Sequence, residues 1–388
     1  TSLRIVLLAY TNKAVDEICE ALHASGQEIS DHYIRIGSRA ATGEPFRHRL
    51  LEQVIEPMTT RAEIKYKLEQ TRIFVATVSS MQGKSELFHL IPFDVAIMDE
   101  ASQLLEPAVV GLLTRFKKTI LIGDHMQLPA VSMQPERMSR IKPGQDWCER
   151  IGITDMSMSY FERLYRLYQA RGWHHLIGIL KEQGRMHTDI MRFANQHVYQ
   201  GILQVVDHHR QGASFSELFD GETSTLFKQR LLYVPSSARL EETYLKTNQQ
   251  EAAITINLVS IWLEKIKANK LNWSIGVITP FRAQIAAITY LAHLQNVDLS
   301  HVTIDTVERY QGGARDIIIM SSAVNSQQAL SRITSENSDG VDRKLNVAVT
   351  RARQQFILIG SEAILQTAAA YKSLIGMCGR LENIFVDA

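Results

Sequence analysis

The sequence predicts an α/β protein of two tandem blocks, each carried on a mostly parallel sheet. Three observations support this. Eight short β-branched or apolar runs each stop at small or polar residues and alternate with helix-like stretches, the pattern of strands buried on both faces. The 388 residues suit two compact domains at roughly 150 residues each. A composition of 45% hydrophobic and 21% charged residues belongs to a globular chain and not to a disordered or fibrous one.

The first block extends to about residue 170. Its strands are RIVLLAY (4–10), running into TN; RIFVATV (72–78), running into SS; DVAIM (94–98), stopping at DE; and TILIG (119–123), stopping at Asp124. The charge-rich stretch from about 38 to 71, ending in EIKYKLEQ, reads as a small helical insertion. QPERMSRIKPGQDWCERIG (134–152), with Pro, Gly and mixed charge, reads as an exposed loop. The second block, 171–388, opens with a helical stretch. It then carries SIGVIT (274–279), HVTIDTV (301–307), DIIIMSSAV (316–324) and QFILIG (355–360). In parallel sheets the chemistry collects at the carboxyl ends of the strands. There the sequence places TN, SS, DE, GD, TP and a QGG turn.

Several classes drop out. Cys19, Cys148 and Cys378 are three in number, far apart and without CxxC or Cys/His spacing, which supports neither a disulfide framework nor a zinc site. No basic leader with a cleavage site opens the chain, and no apolar run approaches the roughly 20 residues that span a bilayer. A reducing cytoplasm without a membrane anchor is the expected setting. The net charge of +1 neither requires nor forbids a polyanionic partner, since a basic groove can coexist with acidic outer faces.

Asp99 and Glu100, at the end of an apolar run, fit a pair in which one carboxylate holds Mg²⁺ on a nucleotide and the next takes a proton from the attacking water. Acids that flank strands are also ordinary turn residues. Gln127, shortly after the Gly123-Asp124 turn, offers an uncharged amide that can hydrogen-bond a phosphate or a water without neutralising either.

Taken in order, AYTNKAVDEI, VATVSS, DEASQ, GDHMQLPAV, LKEQGRMH, GVITPFRAQ, IDTVERYQGGARDIIIMSS and NVAVTRAR resemble the motif series of superfamily 1 helicases of the Upf1-like and Dna2-like group. The likeness covers nearly the whole chain. It implies two RecA-like domains of the P-loop NTPase type that close on ATP and Mg²⁺ and move along single-stranded nucleic acid. DNA is the expected strand, 5′-to-3′ the expected direction, replication or repair the expected setting and a monomer the expected state. Motif by motif, Asp99 becomes the metal ligand, Glu100 the general base and Gln127 the γ-phosphate sensor. Arg185 and Arg351 become arginine fingers, suited by the planar guanidinium to paired bonds with phosphate oxygens. Gln183, Gly312, Asp124 and Arg353 are further nucleotide contacts. Thr11, Asn12, Thr77, Ser79, Ser80, Thr279 and Thr306 are the nucleic-acid contacts, groups that bond phosphates without reading bases. The same hydroxyls suit helix caps.

The pattern departs from the family in three places. The nucleotide loop GxxxxGK[ST] belongs some tens of residues before AYTN and is expected to lie outside this sequence, leaving the first domain truncated and ATP turnover weak. Gly83-Lys84-Ser85 imitates its ending, but Val78 stands where the first Gly is needed. Ala314 replaces a frequent Glu, and Gly184 a frequent aromatic. A different class of reading is a loop-less nucleic-acid-binding or scaffold module without ATPase activity. A nuclease lacks a compact second cluster of Asp, Glu and Lys.

Overall fold

The structure, a computed structural model, describes residues 3–134, 136–142, 144, 146–219, 221–238, 246–310, 313–336 and 339–382. The chain divides into two compact units, Thr1–Gly178 and Ile179–Ala388.

The first unit is built on β1 (Ile5–Ala9), β2 (Tyr33–Ile36), β3 (Ile73–Thr77), β4 (Val95–Met98) and β5 (Lys118–Leu121). They run parallel in the order β2-β3-β1-β4-β5. Parallel neighbours need crossovers that cover the sheet, so both faces are buried. One face packs Val6, Leu8, Phe74, Ala76 and Met98 against Leu68 and Val109. The other packs Ala9, Val75 and Tyr33 against Val15 and Cys19 of the helix Asn12–Ala24.

β2 is absent from the expected runs because YIRI carries a charge. Arg35 is 1% exposed, ion-paired to Asp16 of the helix after β1, and its Nε donates to Thr42 Oγ1 at 3.1 Å. The segment between β2 and β3 forms 3₁₀ turns at Arg39–Ala41 and Glu44–Arg49 and helices Leu51–Ile55 and Arg61–Gln70. The last helix starts on a capping box of Thr60 and Glu63. Among the described residues β5 has β4 as its sole sheet neighbour. Residues 134–152 depart from the expected exposed loop: they hold helices Glu136–Ser139 and Asp146–Ile151. Ser139 and Cys148 are buried there, anchors that loop-like composition conceals.

The second unit opens with a short parallel pair, β6 (Glu182–Gln183) and β7 (Gln204–Val205). Its main sheet has β8 (Leu231–Pro235), β9 (Ile275–Ile278), β10 (Val302–Asp305), β11 (Arg315–Ser321), β12 (Ala352–Gly360) and β13 (Gly379–Arg380). All are parallel, in the order β10-β9-β11-β12-β8-β13. The eight expected runs are thus all strands, and β8 and β13 extend the second sheet. Trp262 of the helix Gln249–Ala268 packs with Phe215, Phe219 and Phe227 in the core of this sheet.

Glu251, in the first turn of that helix, is fully buried. It accepts hydrogen bonds from Ser321 Oγ (2.9 Å), Ser236 Oγ (3.1 Å), Ser322 Oγ (3.3 Å) and Ala323 N (2.8 Å). The carboxyl group therefore ties the ends of β8 and β11 to the helix start. Burial pushes its pKa from 4.5 up to about 7, against the pull of those donors. The folded protein thus keeps a proton that the unfolded chain releases near 4.5, and this group lowers stability as pH rises from about 4.5 to 7. Glu251→Gln removes the titration. The stability difference between variant and parent, measured by urea unfolding, should grow in the variant's favour across that window by up to about 3 kcal/mol and level off above it.

Candidate nucleotide and nucleic-acid sites

At the end of β4 the chain turns sharply. Asp99 N donates to Leu8 O (2.8 Å), continuing the parallel ladder, and Glu100 then adopts φ 52°. A left-handed conformation is uncommon for a residue with a side chain and tends to mark functional turns. Glu100 N donates to Asp99 Oδ1 (2.9 Å), and Gln103 Nε2 donates to Glu100 Oε2 (3.0 Å). Both acids are half-buried. The end of β5 rests directly on this turn: Ala101 N donates to Ile122 O at 2.9 Å. A Cβ at Gly123 would lie 3.0 Å from Ser102 N, so a larger residue there would push the two turns apart by a few tenths of an ångström.

Just beyond, Asp124 and Gln127 hold each other. Asp124 Oδ2 accepts from Gln127 Nε2 (2.9 Å), while its Oδ1 accepts from Met126 N (2.9 Å). Across the rim lies Glu17 of the helix after β1. Burial first, then repulsion from Glu20, Glu100 and Asp99, raises its pKa above the usual carboxylate range, against the attraction of Lys13. The rim is therefore locally rich in negative charge. Among the described residues no group of three His, Cys, Asp or Glu side chains is arranged to hold a metal. Mg²⁺ seldom needs such a cage, because one or two carboxylates plus substrate phosphates suffice. Asp99 fits that role: Oδ1 is engaged by its neighbour's amide, and Oδ2 accepts no hydrogen bond from the described residues.

The hydroxyls at β1 and β3 are helix caps. Thr11 Oγ1 accepts from Ala14 N (3.2 Å) at the start of Asn12–Ala24, and Thr77 Oγ1 accepts from Ser80 N (3.0 Å) at the start of Val78–Gln82. Thr11 and Ser79 are exposed, Asn12 and Ser80 half-buried, and Thr77 is buried. Gly83 closes the Val78–Gln82 helix with φ −69°. Gly83-Lys84-Ser85 thus lies at a helix's end, where carbonyls gather, and not at the amide-rich start that cradles phosphate.

In the second unit the QGRMH segment is a turn closed by its own glutamine. Gln183 Oε1 accepts from Arg185 N (3.0 Å) and Met186 N (2.8 Å), and its Nε2 donates to Met186 O (3.1 Å). Through these bonds Gln183 shapes the loop that carries Arg185. Arg185 is exposed, and its Nη1 meets Thr350 O at 3.4 Å. Arg351, the next residue, is 2% exposed, with Nε at 3.3 Å from Val347 O and Nη1 at 3.4 Å from Gly313 O. The fold thus brings the two arginines to one corner, one outward and one inward. A finger role for Arg351 requires it to leave these carbonyls. Arg353 pairs with Asp316 at 3.9 Å, and its carbonyl accepts from His187 N (2.8 Å). Gly312 lies outside the described residues. Thr306 follows β10 half-buried, whereas Thr279 after β9 is fully enclosed, its hydroxyl without a partner among the described residues.

The residues that sequence reasoning missed act through backbone. Gln211, 3% exposed, donates from Nε2 to Met186 O (2.8 Å) and Gln183 O (3.0 Å), and its Oε1 accepts from Asp207 N (2.9 Å) and Val206 N (3.1 Å). His187 is buried, with Nδ1 accepting from Asp189 N and Nε2 placed to donate to Ala213 O. Burial and then the Arg230 charge lower its pKa, so it serves as a neutral brace. Nothing in HHRQGAS marks Gln211 beforehand, because its partners are main-chain groups.

A family model described as "AAA domain" matches residues 156–363, and a second with the same description matches 48–135. The chain is 28% identical over 371 residues to a DNA replication ATP-dependent helicase/nuclease, JHS1, of Arabidopsis thaliana, covering 93% of this chain and 25% of that protein. It is 29% identical over 328 residues to the DNA polymerase alpha-associated DNA helicase A of Saccharomyces cerevisiae, covering 78% and 44%. It is 26% identical over 348 residues to Helicase sen1 of Schizosaccharomyces pombe, covering 84% and 19%. The chain therefore spans between about a fifth and under a half of the length of these curated relatives.

Gln211→Ala would remove four hydrogen bonds from the QGRMH corner; Met186 O, Gln183 O and Val206 N each keep a second bond, whereas Asp207 N has Gln211 as the acceptor that holds it. Each hydrogen bond so lost costs about 0.5–1.5 kcal/mol, and chemical denaturation should show the second unit weakened by at least about 2 kcal/mol. A change below about 0.5 kcal/mol would mean that the corner does not depend on this amide.

Proposed function

This chain belongs to the superfamily 1 helicases of the Upf1-like and Dna2-like group, and we propose that it is the motor portion of an ATP-dependent DNA helicase. On this reading it moves 5′ to 3′ along single-stranded DNA, and its phosphate-binding loop is supplied from outside this sequence. The observation that carries the reading is the corner where β4 and β5 end: Asp99 and Glu100 at a left-handed turn that is bonded through Ala101 N to Ile122 O, next to a mutually bonded Asp124 and Gln127. A solvated surface turn has no need of four side chains held in that arrangement.

The roles follow from the bonds each group makes. Asp99, with Oδ2 uncommitted, would hold Mg²⁺, which when bound neutralises charge on the phosphates of ATP. Glu100, oriented by the bond it accepts from Gln103, is the carboxylate that takes a proton from water. Gln127, already donating to Asp124, reports on a γ-phosphate by exchanging that bond for one to phosphate oxygen. Arg185 is the phosphate-reaching arginine, exposed and set by the Gln183 turn, while Arg351 braces the same corner from within. Thr11, Ser79, Ser80 and Thr306, on the strand ends, grip the sugar-phosphate backbone without reading bases. The outer edge of β5, with Ile120 at 40% and Ile122 at 44% exposure, is suited to a further strand carrying the loop, since an open apolar edge is a liability in isolation.

The test is single-strand-stimulated ATP hydrolysis by the chain as it stands and by the chain extended at its amino end with the phosphate-loop segment encoded upstream. Turnover is expected to be weak in the first and restored in the second. In the extended protein Glu100→Gln should cut turnover about 10²–10⁴-fold while ATP still binds, and Arg185→Ala should cut it about 10³-fold. Strand binding without hydrolysis in either form would overturn the motor reading in favour of a binding module.

A further inference from the structure

The second unit carries a groove that none of the roles above uses. It has a volume of about 620 Å³ and runs between the helix Arg282–Leu294 and the edge strand β10. Ile285, Ala286 and Ile304 contribute apolar surface to it. Arg282, Tyr290 and His293 line it from the helix, and Arg309 and Asp305 from the other side. On the helix these positions recur at three- and four-residue steps, which places them in one stripe. From Arg282 to His293 the stripe runs about 16 Å at 1.5 Å per residue.

Three features of this groove select an occupant. The first is charge: two arginines and a histidine face a single carboxylate, and Asp305 is already engaged by Thr306 N (2.8 Å) and Arg309 Nη1 (3.5 Å). Arg309 remains 69% exposed in that pair, and exposed pairs of this kind contribute little, so it can turn to a phosphate at small cost. The second is Tyr290, 63% exposed on the groove wall. An exposed ring among cations suits unpaired bases, which stack on the ring while guanidiniums take the phosphates. The third is continuity. The helix begins three residues after Thr279, and Arg309 follows Thr306 by three. The groove therefore opens at the strand ends assigned to nucleic acid.

We propose that this groove is a second holding station for single-stranded DNA: a base stacks on Tyr290 while Arg282 and Arg309 hold the phosphates on either side. The inference rests on the strand-binding reading of the second unit and adds a contact set that sits off the strand ends, along the sheet edge. Such a station keeps the strand attached to the second unit while contacts at the strand ends are remade.

The test is fluorescence anisotropy of labelled oligothymidylates of increasing length with the chain and its variants. Tyr290→Ala should weaken binding of the longer oligomers about tenfold and leave the shortest nearly unaffected, whereas Tyr290→Phe, which keeps the ring, should restore parental affinity. In the double variant Arg282→Ala/Arg309→Ala, the slope of log K against log salt should fall by about 1.4, at roughly 0.7 per phosphate contact on a single strand. Tyr290 and Arg309 are exposed, so these variants keep the fold. Parental affinity and salt slope in all variants would overturn the groove proposal and leave the open edge of β10 to a peptide partner. If Thr306→Ala still lowered affinity in that case, the strand-binding reading would stand without the groove. Failure of the parent to bind any oligothymidylate would overturn both.

Discussion

Burial of both faces of two parallel sheets is the constraint from which the rest of the molecule follows. Val6 and Leu8 face one core and Ala9 the other, and Ile317 and Ile319 lie in a core as closed as theirs. A strand so enclosed takes a polar side chain only where a partner is built for it, as at Arg35, and otherwise leaves polar groups to positions beyond its last residue. The acids after β4, the Asp124 and Gln127 pair after β5, the caps after β1 and β3 and the threonines after β9 and β10 are all products of that exclusion. Parallel pairing then places those ends along common rims, so that residues tens of positions apart in sequence become neighbours without any loop having to find them.

A rim of strand ends is not yet a site, because polar side chains on turns reorient unless something holds them. In this chain hydrogen bonds within the turns do the holding: Asp124 with Gln127, Gln183 with the amides of Arg185 and Met186, Gln211 with four main-chain groups, and Glu251 with the ends of β8 and β11. Groups fixed beforehand do not have to be reorganised when charge develops, which is where much of the advantage of an enzyme site lies. The cost is visible at Glu251, whose carboxyl is driven toward protonation by the same burial that makes it a rigid tie, and at Glu100, whose backbone is left-handed.

What was legible in the sequence was local. A run such as DVAIM announces a doubly buried strand by composition alone, and an acid pair at its end is visible in the same glance. β2 was hidden because Arg35 interrupts YIRI, and only the fold supplies the Asp16 and Thr42 partners that let a guanidinium sit in a core. β8, LLYVP, is fully apolar but ends in Pro, and its strand identity depends on β12 and β13 beside it. In the site, Arg185 and Arg351 were readable as types, but the inward turn of Arg351 was not, since it depends on carbonyls at Val347 and Gly313. Gln211 and His187 were unreadable for the same reason: residues that act on backbone leave no pattern in side-chain chemistry.

The threonine and serine hydroxyls show why capping and binding need not be rival explanations for one residue. A cap uses a lone pair of the hydroxyl oxygen, and its proton remains available. At Thr11 the oxygen accepts from Ala14 N, so the exposed O–H can donate to a phosphate drawn to the positive end of the helix behind it. At Thr77 the proton is passed inward, to Ser80 Oγ at 2.8 Å, and Thr77 itself is 6% exposed. The outward donor at that strand end is then the half-buried Ser80, together with exposed Ser79. Capping thus selects which hydroxyl of the pair faces outward, and the stability of the helix start fixes the direction in which that donor points.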